Sequence, residues 1–156
     1  MVAAMALPHQ PRAGDIVICE FPDCFEAPEM TKTRAVIVVS PRLPGRSSEL
    51  VTVVPISRSQ PYVPGEHHCR IPIDLLPKFM QSTGGDRWAK CDMLYTLSTR
   101  RLSLIEIGPR DRHGHRAFDR PRLDLATLLA VRRAIAAGVG IDTALRVRSP
   151  VVAYWS

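Results

Sequence analysis

Fourteen prolines and nine glycines punctuate this chain, and through residue 108 they leave only short β-rich runs between them. Residues 14–21 and 33–40 read as the first two strands, with Pro22 and Pro41 stopping them. Residues 50–57 make a third and residues 88–93 a fifth. The fourth, at 68–74, is weaker, because Pro72 suits an edge or a bulge. A short sixth covers 102–107, after the polar turn Ser98-Thr99-Arg100-Arg101. Short strands with turn signals and no helical crossover predict a small antiparallel barrel rather than a parallel sheet. Residues 35–39 and 51–54 are apolar on both faces and should form its buried spine. The connections at 22–32, 42–49, 58–67 and 75–87 are long for such a barrel, and long loops in compact domains are often functional.

One long helical pattern follows. Pro121 suits a first turn, and Leu128, Val131, Ile135 and Val139 are spaced to form one apolar stripe. Gly138 and Gly140 should end the helix near Ala137. The expected class is therefore α+β, mainly β with a C-terminal helix packed on the barrel. Its parts are an N-terminal extension (1–13), the barrel (14–107), a basic linker with the helix (108–141), and a tail (142–156) that reads as a terminal strand or a contact with a second chain.

A length of 156 residues gives one domain with a core that needs no staples, and 46% hydrophobic with 23% charged residues is ordinary for a soluble globular protein. The opening apolar run breaks at Pro8 and lacks a basic flank, so neither a signal peptide nor a membrane span is expected and the reading is cytoplasmic. Four cysteines, Cys19, Cys24, Cys69 and Cys91, show no paired spacing and read as free thiols. His67, His68 and Cys69 have no second ligand pair to complete a metal site, and no cofactor is expected.

Net charge is +6 and, among 21 basic residues, only Lys32, Lys78 and Lys90 are lysine. Arginine's planar fork suits bidentate contact with phosphate, so this balance fits a nucleic-acid partner. An arginine-rich coding bias would give the same ratio. Between residues 100 and 122, seven arginines face only Glu106, Asp111 and Asp119. That stretch suits RNA, an acidic protein or plain solvent.

The densest chemistry lies at 88–93. In a strand, Trp88, Lys90 and Asp92 share one face while Ala89, Cys91 and Met93 take the other. The α-carbons of Lys90 and Asp92 would then lie roughly 7 Å apart, close enough for both side chains to address one phosphate group. A solvated strand face would carry the same residues.

With the strands in this order the chain resembles the MazF/PemK toxin family of bacterial type II toxin–antitoxin systems. The resemblance runs from about residue 14 to 107. It is carried by Gly14-Asp15-Ile16-Val17, Lys32-Thr33-Arg34-Ala35 leading into Val36-Ile37-Val38-Val39-Ser40, Val53-Val54-Pro55-Ile56-Ser57, Lys90-Cys91-Asp92, Thr96-Leu97-Ser98 and Arg101-Leu102. The resemblance implies an SH3-like barrel that dimerises and cleaves single-stranded RNA without a metal, inhibited when a cognate antitoxin fills the RNA groove. Such a reaction needs a base for the 2′-OH, an acid for the departing 5′-oxygen, and donors around the phosphorane. The resemblance assigns Arg34 to the phosphate and leaving group, Ser57, in place of the usual threonine, to a non-bridging oxygen, and Asp92 to the 2′-OH. Lys32, Arg58 and Lys90 would bind RNA.

This sequence also departs from the family pattern. Residues 23–32 contain no histidine, Tyr95 stands where many relatives carry arginine, and residues beyond 107 have no counterpart in compact members. A second reading keeps the barrel without catalysis, as an RNA-binding or protein-binding module such as a gyrase inhibitor. A third, an unrelated barrel with a basic helix, rests on charge alone.

Overall fold

The β-branched runs form the spine. Strands β1 (Ile16–Glu20), β2 (Thr33–Val38) and β3 (Leu50–Ser57) make an antiparallel meander, with Ile16 paired to Ile37 and Val36 to Pro55. The computed structural model describes residues 7–141; the expectation for 142–156 lies outside them. Both faces of the meander are covered, as the two-sided apolar pattern requires. On one face Ile37, Val54 and Ile56 pack with Leu128 and Val131 of the C-terminal helix; on the other Val17, Val36, Val38 and Val53 pack with Leu97 and Leu102.

The outer edge of β3 forks. Its C-terminal end pairs with β5 (Trp88–Lys90) and its N-terminal half with β6 (Tyr95–Ser98), a strand the sequence reading missed. β4 (His68–Arg70) pairs with β5, and the two-residue β7 (Leu102–Ser103) pairs with β1. The path is β4-β5-β3-β2-β1-β7, with β6 branching from β3. The antiparallel, mainly β class stands, but the described strands do not close a barrel. A 3₁₀ turn at Thr99–Arg101 carries the chain from β6 on one flank to β7 on the other, where a ladder would be needed for closure.

Other boundaries also move. β4 stops at Arg70 because the prolines that follow turn the chain into a 3₁₀ turn at Ile73–Leu75 and then α1 (Lys78–Thr83), inside the segment expected to be loop. The carboxylate of Asp119 accepts from the Lys78 amide at 2.7 Å. Arg87 is buried, and its guanidinium donates to the carbonyls of Gly84, Gly85 and Asp86 and to the Thr83 hydroxyl. The expected sixth strand breaks at Leu104: its second half, β8 (Ile105–Ile107), leaves the main sheet and forms a hairpin with β9 (Ala117–Asp119), so part of the basic linker is ordered.

Pro121 does not open the helix. Residues 121–123 run beside the start of β1, where the Ile16 amide donates to the Pro121 carbonyl and the Leu123 amide to Gly14. Asp15 holds Arg122 at 2.7 Å. Helix α2 (Leu125–Gly138) starts at an Asp124 cap whose carboxylate accepts from the Thr127 amide at 2.7 Å, a contact worth about 1 kcal/mol. Leu128, Val131 and Ala134 are buried, whereas Val139, expected on the stripe, caps the helix and is 56% exposed. Arg132 fastens the helix by donating twice to the Val39 carbonyl, at 3.0 and 3.2 Å.

Candidate active site

Strand register gathers most of the site residues at one end of the sheet. Arg34 is exposed near the start of β2, and continuing the β2–β3 register two residues past the pair Val36 and Pro55 sets it opposite Ser57. Ser57 pairs with Trp88, and Trp88 with Arg70. Directly paired side chains share a face, so Arg34, Ser57, Trp88 and Arg70 form one row across four strands, about 14 Å wide at the usual strand spacing. One ladder step along the same face, Lys90 pairs with His68. The result is a basic shelf rather than a pit.

Each member has a local reason for its place. The Ser57 hydroxyl accepts the Ser59 amide at 3.1 Å, which turns the chain and leaves its own proton free to donate. Trp88 is half-buried, and its indole nitrogen is shielded without an acceptor among the described residues. Lys32, just before β2, is exposed and holds a left-handed backbone, φ 70°. Arg58 lies past the end of β3 and its charge bears on Arg87.

Asp92 reaches the shelf differently from the sequence expectation. β5 stops at Lys90, and the Met93 amide donates to the Lys90 carbonyl at 3.0 Å, so Asp92 sits in a turn. Between the pairs Ile56–Ala89 and Val53–Tyr95, β3 advances three residues (56 to 53) while the opposite chain advances six (89 to 95). The surplus is extruded as a bulge. Cys91 fills the core beneath it, its thiol pushed up to about 12 by burial and then by Cys69 and Asp92. Asp92 is exposed on the outside. From behind, Gly138 supports the turn: a Cβ there would stand 3.0 Å from the Cys91 carbonyl oxygen and 3.2 Å from the Cα of Asp92.

Tyr95, the position at which the sequence departs from the resemblance, has a structural task. Its hydroxyl accepts the Met30 amide at 3.1 Å, and its ring packs on Phe21 and Phe25 at centroid distances of 5.1 and 5.8 Å. It pins the loop that leads to Lys32 and Arg34. Sequence reasoning also missed His68 as a shelf residue. The adjacent histidines were visible, but only the pairing with β5 brings one of them to Lys90.

A cavity of about 740 Å³ opens at the far end of the sheet, among Arg12, Arg42, Arg120, Arg122 and Asp15; none of Arg34, Ser57, Lys90 or Asp92 lines it. The shelf better suits an extended polymer. Among the described residues no group of three or more His, Cys, Asp or Glu gathers as a metal cage.

The family model for PemK-like, MazF-like toxins of type II toxin–antitoxin systems matches residues 12–137. The chain belongs to this family. The MazF-type fold recurs in solved structures: MazF from Deinococcus radiodurans is 16% identical, with a TM-score of 0.56 over 85% of this chain and 98% of that one. An endoribonuclease from a mycobacterial species, in complex with its cognate antitoxin, is also 16% identical, at 0.55 over 85% and 97%. The Mycobacterium tuberculosis toxin MazF-mt6 is 16% identical, at 0.51 over 81% and 97%. No curated protein matches the chain. The MazF-type match extends past residue 107 into α2, so the helix belongs to the family fold. No helix among the described residues is long and apolar enough to cross a membrane.

Proposed function

We propose that this toxin is an endoribonuclease that cuts single-stranded RNA, including mRNA, in the cytoplasm by attack of the 2′-OH on the adjacent phosphorus, without a metal. The reading is carried by the row of Arg34, Ser57 and Trp88 with Lys90 beside it and Asp92 at its margin. Asp92 takes the 2′-OH proton as the O2′–P bond forms. Arg34, with Lys90, holds the phosphate and meets the charge that grows on the phosphorane. Arginine is a poor proton donor at its ordinary pKa, so its weight falls on charge stabilisation while the departing 5′-oxygen draws its proton from solvent. The Ser57 hydroxyl donates to a non-bridging oxygen, and Lys32 and Arg58 guide the strand.

Two partners follow from this reading. One is a second copy of the chain, since a sheet with open edges and apolar surface is commonly completed by an isologous contact. The other is a cognate antitoxin that lays acidic residues on the shelf, in keeping with the structure of a mycobacterial relative bound to its own antitoxin. The deciding experiment is RNA cleavage in EDTA with analysis of the ends. Cyclic phosphate and 5′-hydroxyl ends are expected. A magnesium requirement or 5′-phosphate ends would overturn the mechanism, and RNA binding without cleavage would favour a non-catalytic module.

A further inference from the structure

His68 is held by more contacts than a surface histidine needs. Residues 65–68 form a turn closed twice: the His68 amide donates to the Gly65 carbonyl at 3.0 Å, and the Gly65 amide donates to Nδ1 of the His68 ring, also at 3.0 Å. A Cβ at Gly65 would stand 2.8 Å from the His67 ring, so the two rings pack closely over this glycine. The two imidazoles lie together at a centroid distance of 4.0 Å. The ring is therefore fixed in orientation and in tautomer, for a nitrogen that accepts an amide proton cannot carry its own. Its proton sits on Nε2.

That proton has no acceptor among the described residues, and His68 pairs with Lys90 on the face that carries Trp88, Ser57 and Arg34. The groups that act on the ring are His67 in the same turn, Lys90 on β5 and Asp92 in the bulge. Burial, His67 and Lys90 push its basicity below the ordinary value and Asp92 opposes them, so the ring resists a second proton. A second proton would also have to displace the Gly65 amide.

We infer that His68 is a neutral hydrogen-bond donor of fixed tautomer, contacting through Nε2–H a non-bridging oxygen of the phosphodiester held at the Lys90–Asp92 end of the shelf. This rests on the nuclease reading and deepens it. The proton stays on Nε2 throughout: as the O2′–P bond forms and the P–O5′ bond breaks, the donor strengthens its contact with the growing negative charge, which is how a preorganised N–H lowers a barrier. It supplies a ring nitrogen that the first loop, residues 23–32, does not offer.

Two substitutions separate this role from a structural one. In His68→Asn the side-chain carbonyl stands near the Nδ1 position and still accepts from Gly65, but nothing reaches the Nε2 position. In His68→Gln an amide NH₂ does reach it. With both variants shown to be folded, His68→Asn should cut RNA about 100-fold more slowly, and His68→Gln should recover about tenfold of that loss. Parental cleavage by His68→Asn, or equal losses in both variants, overturns the donor role while leaving the nuclease reading intact. A wild-type chain that cuts no RNA overturns both. Imidazole ¹⁵N shifts of the wild-type chain should show the Nε2–H tautomer between pH 7 and 8, above the ordinary histidine value from which the ring is lowered, and the parental rate should not fall as pH rises across that range. A doubly protonated ring, or a rate that falls through that window, would mark a general acid and overturn the neutral-donor assignment.

Discussion

Gly138, the last residue of α2, packs directly against the backbone of Asp92, so the helix end sets the position of the proposed base. A methyl group at 138 would meet the Cys91 carbonyl oxygen at 3.0 Å and the Asp92 amide nitrogen at 3.3 Å, both backbone atoms that yield only if the turn moves. Gly138→Ala should lower thermal stability modestly, by about 1 kcal/mol, a common size for a single substitution. The cleavage rate should fall more than that, because a misplaced catalytic group costs far more than its packing. Melting curves and single-turnover cleavage on the same preparation check both halves.

Asp92 and Arg34 are both exposed, so truncating either removes no core volume. Asp92→Ala and Arg34→Ala should each change stability by less than about 0.5 kcal/mol. Loss of a positioned base typically costs about 10²- to 10⁴-fold in rate. Arg34→Lys should restore part of the activity, since it keeps the charge and loses the fork. A folded Asp92→Ala protein that cuts at the parental rate would remove Asp92 from the mechanism.

Tyr95→Phe keeps the aromatic cluster with Phe21 and Phe25 but strips the acceptor from the Met30 amide. The expected cost is about 1 kcal/mol, concentrated in the loop it pins. Hydrogen exchange should show lost protection at Met30 with the β2–β3 ladder unchanged. Uniform loss across the sheet would mean that the hydroxyl does more than hold the loop.

The thiols should divide by burial. Cys19 and Cys91 are buried, and desolvation pushes each thiol up to about 12, so at pH 8 neither offers a thiolate. Cys24 is exposed. Iodoacetamide on the native protein should label Cys24 first and spare Cys19 and Cys91 until the chain unfolds. The sign for stability follows: the unfolded thiols lose protons near 9 while the folded ones hold theirs, so this pair's contribution weakens as pH rises from 9 towards 12.

Sedimentation at micromolar concentration should give about twice the 17.3 kDa chain mass if a second copy completes the sheet. A concentration-independent monomer that still cuts RNA would remove the dimer from the reading.

The central strands were legible because their signal is local. Residues 50–57 carry enough valine and isoleucine to fix β3 at both ends, and Arg34 and Ser57 fell on their strands for the same reason. Elements set by distant partners were not legible. The start of α1 is bonded by Asp119 from a hairpin 41 positions away, and the four-residue β6 exists because β3 has an edge to offer it. The start of α2 was misplaced through a local error: Pro121 looked like a first turn, while Asp124 and Thr127 stood three residues apart as a readable cap. His68 escaped notice because its link to the shelf is a pairing across two strands.

The forked edge of β3 separates stability from reach. Asp92 stands on surplus chain that no ladder pair holds, so the length of that segment can change while the pairs on either side keep their partners. Removing three residues there would fuse β5 and β6 into one unbroken strand and leave the carboxylate without its outpost. Adding a residue would carry it further over the shelf. Editing this hinge of chain would therefore retune which stretch of polymer such a protein grips, so long as Cys91 keeps its place in the core and the turn its seat against Gly138.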